Sequence, residues 1–195
     1  MPSFINQDIE RFYSVAQQRD FARDFLFRVK TVANVTGLPL LQEQDLVYVT
    51  AAKLPGRSIT NNKVPYMGLD FNVPGTAVYD GSDSYDMEFY LDAQANDLRQ
   101  KFELASRDVF NDLTSGGDYR IPGENAIIVL AQLDKGLKDT GVFYNLIGAQ
   151  VRKINSLDYK ISDGKGDVMK LGVSLSYHFY TSGPEAKPGA GAPAA

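Results

Sequence analysis

Cysteine is absent from this 195-residue chain, and histidine occurs once, at His178. The first absence excludes disulfides, thiolate metal sites and cysteine nucleophiles. Zinc sites usually draw several ligands from His and Cys, and a Ser-His-Asp triad would depend on this single imidazole. We therefore expect no catalytic residue, no metal site and no cofactor, and so no enzyme.

Long apolar runs and a strong charge bias are also missing. No stretch approaches the roughly 18 to 20 consecutive apolar residues of a membrane-spanning helix. Lys and Arg number 20 against 24 Asp and Glu, which gives a net charge of −4. A protein that grips nucleic acid by its phosphates normally shows the opposite bias. We expect no membrane partner and no tight binding of DNA.

Three small polar groups are candidate sites. Asp83, Asp86 and Glu88 form an acidic cluster that lacks the spacing of a calcium loop, which indicates a turn and a solvated strand face. His178 falls on the polar side of a predicted strand. Asp163 and Gly164 are typical of a hairpin turn, because no helix follows to bind a phosphate.

Alternating apolar and polar residues indicate a mainly β chain. Strands are predicted at 25–31, 46–52, 64–73, 85–91, 126–133, within 141–153, and at 167–180. Residues 53–63 carry turn signals and are predicted as a loop. Apolar residues spaced by three and four predict one helix over 95–109, with Asp92 as its N-cap. The expected fold is a β-sandwich or barrel of two packed antiparallel sheets with one flanking α-helix.

The chain divides into three predicted parts. Residues 1–20 form an N-terminal arm, whose contact residues would be Phe4, Ile5, Ile9 and Phe12, spaced like one face of a short helix. Residues 21–180 form one β domain. Residues 181–195 are rich in Gly, Pro and Ala and bury too little apolar surface to offset the entropy of ordering, so a flexible tail is predicted.

Several segments carry a family resemblance through their order along the chain. They are DFAR at 20–23, FLFRV at 25–29, AAKLPG at 51–56, Val64 with Pro65, DLRQKF at 97–102, and the strands at 127–129 and 173–179. Together they resemble the tail tube protein family of contractile-tailed bacteriophages. The match spans roughly residues 4 to 180, with no single diagnostic motif.

The resemblance implies a virion protein of the tail, assembled in the host cytoplasm. In that family six copies close into a ring with a continuous inner β-barrel, and stacked rings make the hollow tube for genome delivery. The partners implied are the sheath outside, the tape measure protein and loosely held duplex DNA in the lumen, and the baseplate and tail terminator at the ends.

The same resemblance assigns contact residues by position. Ring stacking would fall to Lys53, Leu54, Pro55, Gly56, Arg57, Ser58, Ile59, Thr60, Asn61, Asn62 and Lys63, with the N-terminal arm as a second contact. Because DNA must slide past the wall without being retained, we predict that a polar strand face lines the lumen. The candidates are Asp70 and Asn72, or Asp86 and Glu88.

Several alternatives stay open. A baseplate protein that initiates the tube and the tube of a contractile secretion system share the implied fold. From a different class, a small-ligand-binding β-barrel or a small hydrolase would show a deep apolar pocket in a monomer.

Overall fold

A computed structural model describes residues 9, 11, 13–15, 23–34, 39–91, 97–117, 126–159 and 166–187. Residues 9, 11 and 13–15 are helical, and the helices with both ends among the described residues are α1 (Glu43–Leu46) and α2 (Asp97–Val109). The strands are β1 (Phe27–Val32), β2 (Val49–Ala51), β3 (Arg57–Tyr66), β4 (Leu69–Tyr79), β5 (Tyr85–Tyr90), β6 (Phe110–Asn111), β7 (Gly116–Gly117), β8 (Ile127–Leu133), β9 (Asp139–Ile147), β10 (Gln150–Ile154), β11 (Lys170–Ser176) and β12 (Phe179–Gly183). The predicted mainly β class is confirmed.

Two four-stranded antiparallel sheets enclose the main core. Sheet 1 has the order β1-β8-β9-β12, and sheet 2 has the order β10-β11-β5-β2. The alternation along β5 and β11 turns one apolar row inward, whereas β8 is buried on both faces. α2 adds Phe102, whose ring centroid lies 5.2 Å from that of Phe89. The buried residues at the centre include Val29, Val32, Met87, Phe89, Phe102, Ile128, Leu130, Leu146, Leu171, Val173 and Leu175. The sandwich with a flanking helix is therefore as predicted.

The prediction of one continuous strand at 167–180 is wrong, because the chain passes from one sheet to the other within this segment. β11 pairs with β10 and β5 in sheet 2, whereas β12 pairs with β9 in sheet 1. Opposite this break, the carbonyl of Ala126 accepts hydrogen bonds from the N–H groups of Gly148 at 2.8 Å and Ala149 at 3.0 Å. Two N–H groups on one carbonyl are the pattern of a bulge, which bends both strands around a shared corner.

The corner connects the two sheets through two segments of chain. β9 leads into β10 and β11 leads into β12, so pairing stops at Ser176 opposite Gln150 in sheet 2 and resumes at Phe179 opposite Ile147 in sheet 1. α2 packs along β10. In the described part of the chain, β1 and β2 remain as facing edges that do not pair with each other. We call the region formed by β1, β2 and α1 the seam.

The predicted loop at 53–63 and strand at 64–73 are also wrong. Most of that loop belongs to β3, which pairs with β4 from Arg57 opposite Tyr79 to Tyr66 opposite Leu69. The turn lies at Met67 and Gly68, both with positive φ (51° and 79°) as a tight hairpin turn requires. Residues 57–79 thus form one long hairpin, hereafter the hairpin.

The start of the predicted tail is part of the fold. β12 continues to Gly183, and Asn145 holds the chain beyond it. The Asn145 side-chain amide donates to the Pro184 carbonyl at 2.9 Å, and its oxygen accepts the N–H of Ala186 at 3.1 Å. Lys30 Nζ lies 3.1 Å from Glu185 and 2.9 Å from Asp139. Residues 184–186 therefore lie against sheet 1.

Gly148→Ala should destabilise the corner more than Gly141→Ala destabilises β9. Both glycines have positive φ, 74° and 82°, so each alanine costs roughly 1 kcal/mol in backbone strain. A Cβ at Gly148 would also overlap the imidazole of His178, whereas one at Gly141 would have nothing within 4 Å. We expect an excess loss of about 1 kcal/mol for Gly148→Ala in chemical denaturation.

Removing the His178 imidazole should abolish the additional destabilisation caused by Gly148→Ala. In a His178→Ala background, Gly148→Ala should cost no more than Gly141→Ala does. Equal losses for the two glycine variants in the wild-type background would show that the ring moves aside freely and that the corner is not constrained by this contact.

Candidate assembly surface

The hairpin is a projecting surface of unusual length. Its strands have 10 and 11 residues, or roughly 33 Å at the usual rise per residue. They hydrogen-bond as a two-stranded sheet of their own, and every residue from 57 to 78 is exposed. A two-stranded sheet is at best marginally stable by itself in water, so the hairpin gains from a partner surface.

The hairpin has one apolar and one polar face towards its tip. Directly opposed residues share a face, which places the pairs Val64 with Phe71 and Tyr66 with Leu69 on the same side. These residues and Val73 are between 45% and 65% exposed. We call this the apolar face. A contiguous exposed apolar patch of several large side chains is typical of a protein interaction site.

The opposite side of the hairpin, its polar face, carries two predicted lumen residues. Asn72 lies opposite Lys63, and Asp70 lies opposite Pro65. All four are exposed. Their placement in the lumen stays a prediction. Of the predicted stacking residues, 57–63 lie in β3 and 53–56 precede it, so the segment is mostly hairpin rather than loop.

The other two predicted lumen residues lie on the outer face of sheet 2. Asp86 and Glu88 are exposed and alternate with buried Tyr85 and Met87 along β5. The Ser174 hydroxyl donates to the Asp86 carboxylate.

Glu88 also has a partner on that face. Lys170 Nζ lies 3.5 Å from the Glu88 carboxylate and 5.8 Å from the centroid of the Tyr90 ring. This ion pair is exposed and contributes little to stability. It does balance charge, so the outer face of sheet 2 is polar without a strong excess of one sign.

The base of the hairpin is fixed by two buried tyrosines. The Tyr85 hydroxyl donates to the carbonyl of Lys53 at 2.5 Å, and the Tyr177 hydroxyl donates to the carbonyl of Asp80 at 2.7 Å. Lys53 precedes β3 and Asp80 follows β4, so the two bonds hold both ends of the hairpin. The rings contact each other edge to face with centroids 6.0 Å apart. We call these four residues the base clamp.

Burial keeps both phenols of the base clamp neutral. It raises the pKa of the Tyr85 hydroxyl far above its usual value. It also raises the pKa of Tyr177. A neutral phenol is the form that can donate a hydrogen bond, so the shift favours the state the clamp needs. Sequence alternation identified Tyr85 and Tyr177 as inward-facing but gave no sign of this role.

The predicted N-terminal contact is only partly within the described residues. Ile9 is helical and exposed, whereas Phe4, Ile5 and Phe12 lie outside them. Asp92, the predicted N-cap of α2, and the predicted turn at Asp163 and Gly164 lie outside them as well. In the part of the chain that the structure describes, no helix is long and apolar enough to cross a membrane.

Comparison by structure assigns the fold. A chain from the anti-feeding prophage baseplate superposes with a TM-score of 0.53 at 14% identity, covering 83% of this chain and 95% of that one. A chain from the anti-feeding prophage cap, described as tube terminating, gives 0.50 at 10% identity over 86% and 93%. The chain has the fold of contractile injection system components. No family model and no curated protein matches it by sequence.

Tyr85→Phe should loosen the base of the hairpin. The change removes a hydroxyl donor and leaves the Lys53 carbonyl without it, which we expect to cost about 1 kcal/mol. Amide exchange should accelerate at residues 53–57 and 79–81 more than in sheet 1. Tyr90→Phe, which alters an exposed tyrosine of the same strand, is the matched control. It should change neither the free energy of unfolding nor the amide exchange at the ends of the hairpin. Unchanged exchange at both ends of the hairpin would contradict the clamp.

The base clamp should also make stability fall at alkaline pH. A folded pKa raised above the unfolded value of about 10 gives a contribution that is complete below pH 10. It is lost as pH rises further, because the unfolded chain releases the proton first. Melting temperatures of the wild type should drop between about pH 10 and 11 more steeply than those of a Tyr85→Phe, Tyr177→Phe variant. Parallel curves would contradict the prediction.

Proposed function

We propose that this chain is a structural subunit of the tube of a contractile injection system, and specifically the major tail tube subunit of a contractile-tailed phage. Its copies would close into hexameric rings that stack into the hollow tube for genome delivery. The observation that carries the proposal is the hairpin, whose exposed apolar face needs a partner. The fold it projects from is that of baseplate and cap subunits.

The hairpin supports assembly because its apolar face is exposed in the single chain. It extends from one end of sheet 2, between β2 and β5, so it reaches away from the core of its own chain. A contact between a projecting element and a different surface of the next copy is heterologous. Repetition of such a contact gives a closed ring or a helical filament, depending on the rotation between copies.

The polar faces support a conduit. The hairpin's polar face carries Lys63 and Asp70, and the outer face of sheet 2 pairs Lys170 with Glu88. A wall in which charges of both signs are interspersed offers DNA few uncompensated cations, so little counterion release would drive binding. In this arrangement the sheath would lie outside, the tape measure protein and DNA inside, and the baseplate and terminator at the ends. We propose no catalytic role.

A second candidate is a subunit at one end of the tube. The observation favouring it is that the two structural neighbours above come from a baseplate and a terminating cap. Purified protein that stops at single rings would support this candidate, whereas long filaments would support the major tube subunit.

A charge on the apolar face should abolish assembly, whereas the same charge on the polar face should not. Val64→Asp places a carboxylate where a partner would bury apolar surface, at a cost of several kcal/mol if no counter-charge is near. Asn72→Asp adds the same carboxylate on the polar face, next to Lys63. Electron microscopy and light scattering of the purified proteins measure assembly, with wild type as reference.

The outcome separates an assembly surface from a general defect. We expect rings or tubes for wild type and Asn72→Asp, and monomers with unchanged melting temperature for Val64→Asp. Wild-type protein that remains monomeric at high concentration would overturn the proposed function. Normal tubes from Val64→Asp would leave the tube intact but remove the apolar face from its contacts.

A further inference from the structure

Two open cavities in the seam flank β1. One, of about 390 Å³, is lined by Asp24, Phe25, Phe27, Arg28, Val29, Leu46, Val49 and Thr50. Another, of about 510 Å³, is lined by Arg28, Val29, Lys30, Thr31, Glu43, Leu46, Val47 and Glu185. Arg28, Val29 and Leu46 line both, so the two cavities form one groove along β1. We call it the seam groove.

The backbone edge of β1 faces the seam groove with unpaired groups. The N–H of Leu133 donates to the carbonyl of Leu26 at 3.1 Å, which fixes the alternation of bonds towards β8. By that alternation, Phe27 and Val29 direct their N–H and C=O groups away from β8. Among the described residues, this outer side is paired by backbone at Val32, whose carbonyl accepts the N–H of Leu40 at 2.7 Å. The edge is therefore open to an added strand.

The walls of the seam groove mix apolar and charged side chains. Val47 is 81% exposed at the end of α1, and Phe25 is exposed at the other end of the groove. α1 is fixed by Asp45, whose carboxylate accepts the N–H of Gln42 at 2.8 Å and the ammonium of Lys101 at 2.9 Å. The groove thus combines a free strand edge with exposed apolar side chains at both of its ends.

We propose that the seam groove receives the hairpin of a second copy of this chain, which adds a strand to β1 and buries the apolar face against α1 and β2. This inference rests on the proposed function, since it names the acceptor of the same hairpin. The two proposals can be tested separately, because a tube could form even if the hairpin binds a surface other than the seam groove.

Two features of the hairpin fit this groove. Its apolar stretch, 62–66 with 69–73, is five residues long on each strand, close to the six residues of β1. Among the described residues β4 pairs with β3 alone, so its outer edge is available for β1. The edge of β3 suits the contact less well, because Pro65 lacks an N–H donor.

The hairpin of the same chain does not occupy the groove. Residues 57–78 are exposed along their whole length, and none of them lines either cavity. A contact between hairpin and seam groove is therefore intermolecular. It buries the exposed apolar residues of both surfaces in one step, and it completes the backbone pairing of β1.

Cross-linking tests the contact directly, because the natural chain has no cysteine. Val47→Cys marks the groove, Phe71→Cys marks the apolar face, and Asn72→Cys is the matched control one residue away on the polar face. The single variants are co-expressed in pairs, with the groove variant carrying a larger tag so that a mixed dimer is distinguishable. Assembled protein is treated with a short bismaleimide and resolved on a denaturing gel.

We expect the mixed dimer to form at least fivefold more with Phe71→Cys than with Asn72→Cys. A doubly substituted Val47→Cys, Phe71→Cys chain should give a ladder of higher species, because every copy then carries both ends of the contact. Electron microscopy of the same samples reports assembly independently.

Each outcome decides between the two proposals. Rings or tubes without a Val47 to Phe71 cross-link, or with equal yields for both hairpin positions, overturn the seam groove as acceptor and leave the proposed function standing. Protein that stays monomeric under all conditions overturns both. Cross-linking confined to Phe71→Cys supports the acceptor, and its loss after Val64→Asp would tie it to the apolar face.

Discussion

Backbone pairing at strand edges is the constraint on which this structure depends. A strand carries donors and acceptors on both sides, and each unpaired edge attracts another strand. The chain handles its edges in different ways. The corner at Gly148 joins the two sheets, and α2 packs along β10. In the described residues, β1, β2, β12 and both strands of the hairpin are outermost strands, and the proposed contact between copies uses the edges of β1 and the hairpin.

The base clamp connects this edge chemistry to the core. Tyr85 and Tyr177 lie in the packed interior, yet their hydroxyls hold the carbonyls of Lys53 and Asp80 at the two ends of the hairpin. Because the rings are buried and in contact, the direction of the hairpin is set by core packing rather than by its own turn. A projecting element with a fixed direction loses less conformational entropy when it binds.

The sequence predicted the sandwich well and the hairpin poorly, for physical reasons. Residues 85–91 and 126–133 were predicted correctly because burial shapes both strands: β5 buries one face, so its apolar residues alternate, and β8 buries both, so its apolar residues cluster. The hairpin is exposed on both faces, so burial imposes no such pattern. Its Asn and Pro-Gly signals suggested turns, but Pro74 and Gly75 lie within β4, and the true turn uses Met67 and Gly68.

The corner and the base clamp were beyond sequence reasoning for a different reason. The alternation at 167–180 continues through Tyr177, which is buried like Val173 and Leu175, although the partner strand changes there. The alternation of side chains along a strand indicates which face is buried, but it does not indicate which sheet the strand joins. Likewise, the bond from Tyr177 to Asp80 joins residues 97 positions apart. No local pattern encodes a pair so distant.

The proposed contact between the hairpin and the seam groove bears on whether the proposed subunit repeats along a tube or ends it. A subunit that offers both the hairpin and the seam groove can add further copies from either side, so its assembly has no built-in end. A terminating subunit must block one of the two, by a shortened hairpin or a filled groove. In the described part of this chain the hairpin strands have 10 and 11 residues and the groove is open. Under the proposed contact, this is the combination that a repeating subunit requires, whereas the fold itself is shared with baseplate and cap chains.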